Sequence, residues 1–293
     1  MQKVILGTWS FSLEAVERAS GVILSNYSSI DAVEKGINCV EENEKYGRCI
    51  VGIGGPRNSN GYLEMDAAVM NGIDLDFGAV TALRGYPRPF SVARAVMERC
   101  PHSMLTAEGA RLFAEKEGFA LDPNLIGEKI TSEMSPTCCH DTLGLIVLNG
   151  EDITCGVSTS GMPHKHPGRV GDSALPGNGL YADCKGGAAC CSGDGDLLMK
   201  YCPAFQVVQL LKQGMHPTEA CQEVVKNISE RSSKEFEVGI IAVNMKGDYG
   251  SGTTVTDWTD PVSDVIYQGF PYVVWQDGWN KPKIMCQKAN NKT

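Results

Sequence analysis

The chain has 293 residues, 42% hydrophobic and 21% charged, an ordinary globular composition with enough length for a large core. A formal charge of -9 with no basic run argues against a nucleic-acid surface. No stretch of about 18 apolar residues is present, so no membrane-spanning helix is expected. The apolar run in Met1 to Trp9 is too short for a signal peptide, and the protein as encoded reads as cytosolic. None of the twelve cysteines falls in a Cys-x-x-Cys pattern, and the adjacent pairs Cys138-Cys139 and Cys190-Cys191 are poor metal ligands. They read as small buried residues, and the redox compartment stays open. Glycosylation sequons stand at Asn26, Asn227 and Asn291.

In chain order, Lys3 to Trp9 predicts a first strand. Leu13 to Leu24 has helical spacing through Leu13, Val16, Ala19 and Val22. Ser29 is the expected N-cap of a second helix through Glu44, with Ala32, Val33, Ile37 and Val40 as its apolar stripe. Gly52 to Pro56 reads as a loop. Its Gly-x-Gly lacks the strand-turn-helix setting of a dinucleotide site. Leu63 to Met70 and Leu75 to Leu83 predict strands around Asn71-Gly72, Ser91 caps a helix through Glu98, and Thr106 opens another. Residues 118–140 form a polar loop that delivers the chain to Thr142, and 161–179 form a second long loop. Tyr181 to Cys191 predicts a tightly packed strand, Asp194 to Gln213 and Pro217 to Arg231 helices, and Phe236 to Met245 and Val262 to Tyr267 strands. Alternating blocks of hairpins and helices, with no repeat, favour one domain over 1–293. Two mainly antiparallel sheets with helices on both outer faces fit better than a doubly wound parallel sheet.

The central feature is His140-Asp141-Thr142-Leu143-Gly144, running into an apolar strand that ends at Asn149-Gly150. Asn-Gly is the strongest short hairpin signal, because both turn positions need positive φ. A two-residue loop there sets Leu148 opposite Glu151 and Thr142 opposite Val157. Thr159 is then the diagonal neighbour of Thr142, with about 7–8 Å between their backbones. Thr142 is then either a β-branched residue filling a strand end or the residue after a scissile bond. In the second case its hydroxyl attacks the Asp141 carbonyl, the acyl group moves from nitrogen to oxygen, and water cleaves the ester. Thr142 is left with a free α-amine of ordinary pKa about 7.7–8.0, which serves as general base beside its own hydroxyl.

Two further groups carry possible chemistry. Arg169 offers a planar fork for a carboxylate and Asp172, three residues on, an acceptor for an ammonium; together they either hold the two ends of an amino acid or form a surface ion pair. In Ser192-Gly193-Asp194-Gly195-Asp196, the Ser192 hydroxyl and Gly193 N–H can hold a developing oxyanion, while Asp194 or Asp196 caps a helix. Trp9 reads as core or as a pocket wall. None of His102, His140, His164, His166 and His216 stands in a nucleophile-elbow setting, and no carboxylate pair favours glycosidase chemistry.

Taken together, His-Asp-Thr-Leu-Gly (140–144), Ser-Thr-Ser-Gly (158–161), Gly-Arg-Val-Gly-Asp-Ser (168–173), Pro-Gly-Asn-Gly-Leu-Tyr-Ala-Asp (176–183) and Ser-Gly-Asp-Gly-Asp-Leu-Leu-Met-Lys (192–200) resemble the glycosylasparaginase branch of the N-terminal-nucleophile hydrolases. The resemblance runs from Thr8-Trp9 to about Gly250. It implies a four-layer αββα sandwich, cleaved between Asp141 and Thr142 into chains 1–141 and 142–293, and a dimer of such cleaved pairs. It makes Thr142 the nucleophile, Thr159 the support of its hydroxyl, and Arg169 with Asp172 the clamp on the substrate's α-carboxylate and α-ammonium. Ser192 and Gly193 become the oxyanion donors, with serine where the family more often has threonine, and Trp9 lines the sugar side. The reaction implied is cleavage of the side-chain amide of N4-(β-N-acetylglucosaminyl)-L-asparagine to aspartate and a glycosylamine, with no cofactor or metal. The family also implies a lysosomal destination. Two alternatives stand beside this reading: an isoaspartyl peptidase or L-asparaginase of the same fold, and an uncleaved amino-acid-binding protein without catalysis.

Overall fold

The computed structural model describes residues 2–127 and 142–289. Up to the gap the elements are β1 (Lys3–Thr8), α1 (Leu13–Leu24), α2 (Ser29–Glu41), β2 (Met65–Asn71), β3 (Phe77–Leu83), α3 (Pro89–Arg99), β4 (Met104–Thr106) and α4 (Ala107–Lys116). After it come β5 (Leu143–Asn149), β6 (Asp152–Thr159), β7 (Leu180–Asp183), β8 (Gly187–Gly193), α5 (Gly195–Leu198), α6 (Pro203–Lys212) and α7 (Pro217–Arg231). The chain closes with β9 (Val238–Asn244), β10 (Tyr249–Thr253), β11 (Trp258–Thr259), β12 (Ile266–Tyr267), β13 (Phe270–Gln276) and β14 (Lys283–Gln287).

Eight strands form the larger sheet in the order β14-β13-β1-β5-β6-β2-β3-β4, and four form the smaller in the order β10-β9-β8-β7. Every named pair is antiparallel except β3 with β4. The two sheets face each other through β5, β6 and β8, and through β1 and β9. Helices α1, α2 and α3 cover the outside of the larger sheet, and α6 with α7 the outside of the smaller. This is the expected αββα sandwich. Because β5 and β6 are covered on both faces, their side chains are buried along nearly the whole strand instead of alternating with polar ones. Segments from both sides of the 141/142 bond interleave in the larger sheet, with β5 lying between β1 and β6.

The helices form where apolar spacing and caps agree. Ala32, Val33, Ile37 and Val40 of α2 are fully buried against β5 and β6. The Val and Ile side chains contribute about 1.5–3 kcal/mol each. Its N-cap is Ser28, not Ser29, because Ser28 and Asp31 form a reciprocal capping box. The helix ends at Glu41, three residues before the expected Glu44. In α1 the buried face runs through Ala15, Val16, Ala19 and Ile23, whereas Leu13 is exposed and Val22 half-buried. Ser91 does not cap α3, which starts at Pro89, a residue whose missing N–H costs nothing in a first turn.

Several boundaries differ from the sequence reading. The predicted strand Tyr181 to Cys191 is a hairpin, β7 and β8, turning at Cys184-Lys185-Gly186. The predicted helix Asp194 to Gln213 is two helices, broken where Cys202 takes a left-handed φ of 49° ahead of Pro203. Of Val262 to Tyr267 only Ile266–Tyr267 is strand, because the Asp260 carboxylate accepts from Val262 N and Ser263 N and fixes a turn. The predicted loop 118–140 is described only as far as Gly127, so His140 and Asp141 lie outside the described residues.

The central hairpin is shifted by two residues. Asn149 pairs with Asp152 and Leu148 with Ile153, so the loop is Gly150-Glu151. Asn149 is held in the sheet by its place opposite Lys3 of β1, while Gly150 N donates to Gln2 O. Only Gly150 takes positive φ, 69°, at the first loop position, the pattern of a type II′ turn. A two-residue shift keeps every side chain on its face.

Candidate active site

Thr142 stands one residue before β5, at the point where β1, β6 and β8 also have their ends. Since Leu143 pairs with Ser158, the next rung brings Thr142 opposite Thr159, closer than the diagonal relation expected. Close approach of the sheets is built in at Gly144: a Cβ there would lie 2.7 Å from Cys190 Cβ and 3.1 Å from Thr8 Cγ2. Thr142 is buried, 4% exposed.

Three hydroxyls hold it. Thr8 Oγ1 donates to Thr142 O at 2.6 Å and accepts from Gly144 N at 2.7 Å, locking the backbone. Ser192 Oγ accepts from Thr142 N at 2.8 Å. Ser173 Oγ lies 3.1 Å from Thr142 Oγ1. Thus the nitrogen and the oxygen of Thr142 are each anchored by a different serine. Ser192 also accepts from Trp9 Nε1 at 2.7 Å. Trp9 is 1% exposed, stacked on Trp258 at 4.9 Å and edge-on to Phe270 at 4.7 Å. Its backbone, φ 59° and ψ 162°, is one that costs a non-glycine residue about 1–3 kcal/mol, and it aims the indole at Ser192.

Thr159 is tied elsewhere: its Oγ1 donates to Ile50 O at 3.2 Å and accepts from Gly161 N at 3.0 Å. Beneath this turn lies a charged core. Asp66 pairs with Thr159 across β2 and β6, and its Oδ1 accepts from Ala82 N. Lys165, 3% exposed, donates to Glu64 O at 2.9 Å. The Glu64 carboxylate accepts from Gly168 N at 3.1 Å and pairs with Arg84. Burial pushes the Asp66 carboxyl up and the Lys165 ammonium down, and the opposite charge of each counters the shift in the other. Glu41 is fully buried: its Oε1 accepts from Ser158 Oγ at 2.6 Å and Phe90 N at 3.1 Å, and desolvation raises its carboxyl to about 8.

Arg169 and Asp172 converge on Gly195 at the start of α5. A Cβ on Gly195 would lie 2.6 Å from Asp172 Oδ1 and 3.1 Å from Arg169 Nη2. They are not each other's ion pair; Arg169 Nη2 donates to Asp196 Oδ2 at 2.9 Å. Among the described residues, Arg169 Nε and Asp172 Oδ2 are buried without hydrogen-bond partners. Burial raises the Asp172 carboxyl to about 7, against the pull of Arg169. Gly193 closes β8 with φ 151°, and a Cβ there would lie 2.1 Å from Glu237 O. Asp194 caps α5 through Leu197 N, as one reading of this segment expected.

Thr142, Ser192, Gly193, Trp9, Arg169 and Asp172 therefore fall in one region, with Thr159 at its edge. Sequence reasoning assigned no role to Ser173, although it closes the Gly-Arg-Val-Gly-Asp-Ser motif, and none to Thr8 as a backbone lock. Glu41 gave no signal at all, since an acidic residue near a helix end normally faces water.

An αββα sandwich with a threonine leading a buried central strand defines an amide hydrolase of the N-terminal-nucleophile class. Comparison with known sequences narrows this. The asparaginase family matches residues 8–136 and 122–262, and the chain belongs to that family. It is 37% identical over 266 residues to the N(4)-(beta-N-acetylglucosaminyl)-L-asparaginase of Elizabethkingia miricola, covering 85% of this chain and 77% of that protein. The Rattus norvegicus protein of the same name is 33% identical, over 85% of this chain and 83% of its own length. An isoaspartyl peptidase/L-asparaginase of Xenopus laevis is 32% identical, over 87% and 86%.

Proposed function

We propose that the protein hydrolyses the side-chain amide of N4-(β-N-acetylglucosaminyl)-L-asparagine, after cutting its own backbone between Asp141 and Thr142. The observation that carries this reading is the separate anchoring of Thr142 N by Ser192 and of Thr142 Oγ1 by Ser173. A structural threonine at a strand end needs neither; a residue that must present an amine and a hydroxyl in fixed relation needs both. In the cleaved form the α-amine takes the proton as Oγ1 forms a bond to the amide carbon, and the carbonyl electron pair moves onto oxygen. Collapse expels the glycosylamine, which leaves with a proton from the α-amine. Water then releases aspartate from the β-aspartyl ester. Arg169 and Asp172 hold the α-carboxylate and α-ammonium, and Gly193 N–H stabilises the oxyanion. Ser192, placed on the nitrogen of Thr142, steadies the base as well as facing the oxyanion.

The test is Thr142→Ala. The variant is expected to remain one polypeptide of 293 residues by intact mass and to lack activity. A variant that still splits at 141/142, or wild-type protein fully active while uncut, overturns the mechanism. A second reading, cleavage of β-aspartyl dipeptides or free asparagine, is favoured by the Xenopus laevis relative, whose identity lies within a few per cent of the others. The ratio of kcat/KM on glycosyl-asparagine to that on a β-aspartyl dipeptide separates the two.

A further inference from the structure

We propose that Ser173 is a catalytic hydroxyl of this enzyme: it donates to Thr142 Oγ1 and ties the attacking oxygen to the substrate clamp. The inference rests on Thr142 as nucleophile. Ser173 is 2% exposed, and its Oγ lies 3.1 Å from the reacting oxygen. The direction of the bond follows from the chemistry. Thr142 Oγ1 must give its own proton to the α-amine, so its remaining bond is one it accepts, and Ser173 supplies the proton for it. Ser173 keeps that proton throughout. The donated bond strengthens as negative charge gathers on Oγ1 during proton transfer, and again when the ester oxygen departs in deacylation.

The surrounding backbone shows why this serine is well placed. It follows Asp172 directly, so one peptide unit carries both the clamp for the α-ammonium and the anchor for the attacking oxygen. That unit is pinned in turn. Asp172 O accepts from Leu175 N at 2.9 Å and from Gly179 N at 3.1 Å. Gly179 lies so close that a Cβ on it would stand 2.5 Å from Ser173 Cα. On its other side Gly179 O accepts from Cys191 N at 2.8 Å, one residue before Ser192. The serine on the Thr142 oxygen and the serine on the Thr142 nitrogen are thus stapled to each other through a single glycine. Thr159, by contrast, donates its proton to Ile50 O, and steadies the site through the 158–161 turn.

The test is steady-state kinetics of Ser173→Ala and Ser173→Thr, normalised to processed chain by intact mass, with Thr142→Ala alongside. Ser173→Ala is expected to lower kcat about tenfold or more with KM within about twofold of wild type, and to slow processing by a similar factor. Ser173→Thr, which keeps the oxygen, is expected to recover at least half of the loss on a logarithmic scale. Wild-type kcat in Ser173→Ala overturns the proposal. So does a folded Ser173→Thr, melting like wild type, that is as slow as the alanine variant, or a loss carried by KM instead of kcat. If Thr142→Ala itself stays active, the nucleophile assignment fails; if only the Ser173 variants behave as wild type, the failure belongs to Ser173 alone.

Discussion

Glu41→Gln is a direct probe of the buried carboxyl under the site. Among the described residues, Glu41 has no exposed surface and accepts hydrogen bonds on Oε1, from Ser158 and Phe90, while Oε2 is buried without a partner. This geometry suits a protonated acid, with Oε2 carrying the proton, and agrees with a carboxyl raised to about 8 from its ordinary 4.5. A raised carboxyl gives the fold stability that is fully present below about pH 4.5, lost progressively as pH rises, and gone above about pH 8. The unfolded chain releases the proton first, so wild type pays about 1.4 kcal/mol per pH unit in that window, at most about 4–5 kcal/mol in total. Glutamine keeps the accepting oxygen and puts an amide N–H where the acid proton stood, but it does not titrate. Urea denaturation of both chains in a Thr142→Ala background, where unfolding is that of one polypeptide, isolates the effect, since all other groups cancel in the difference. The glutamine chain is expected to gain on wild type steadily from pH 5 to 8, with the gap constant above. A gap that does not change with pH refutes the protonated Glu41, whatever its size, because a constant offset reports packing alone.

The remaining predictions concern the proposed clamp and its supports. With Asp172 at about 7 in the free protein, KM for substrate is expected to fall up to about tenfold per pH unit below pH 7 and to level off above it, because the ammonium binds the ionised carboxylate. In Asp172→Asn, KM measured from pH 5 to 9 is high and flat. Lys165→Met removes the cation that donates to Glu64 O and opposes Asp66, and urea denaturation at pH 8 is expected to show a loss of about 3 kcal/mol, shrinking as pH falls because burial holds the Asp66 carboxyl above the usual carboxylate range. Gly193→Ala forces a Cβ against Glu237 O at a φ of 151°, and is expected to cost about 3 kcal/mol of stability with a loss of kcat.

The candidate site residues were legible as motifs, while the distant partners that position them were not, for a physical reason. Thr142, Arg169, Asp172, Ser192 and Gly193 stand in short contiguous stretches, and a residue type with its neighbours is local information. What fixes their geometry is contributed from far away: Thr8, 134 residues before Thr142, and Glu41, 117 before Ser158. No window of sequence contains both partners. The same limit explains β13. Its Phe-Pro-Tyr-Val-Val-Trp-Gln contains a proline, which normally argues against an inner strand, yet β13 lies between β1 and β14. The β1 ladder stops at Tyr272, so the missing N–H of Pro271 falls beyond it, a fact visible only once the register is known.

The central hairpin shows which errors matter to function and which do not. Reading Asn149-Gly150 as the loop placed it one residue early and so shifted the pairing by two, because pairing with β1 holds Asn149 in the sheet. A slip of one would have turned Thr142 away from Thr159 and from the sheet face on which both lie. A slip of two leaves all faces unchanged and only moves the partner, so Thr159 becomes the direct neighbour instead of the diagonal one. Burial on both faces of β5 makes this robust: any odd shift would carry Gly144 away from Cys190 and put a larger side chain where the sheets leave no room. The position of Thr142 is therefore set by the narrow gap between two sheets, and the hydroxyls of Thr8, Ser173 and Ser192 act on a residue already held in register.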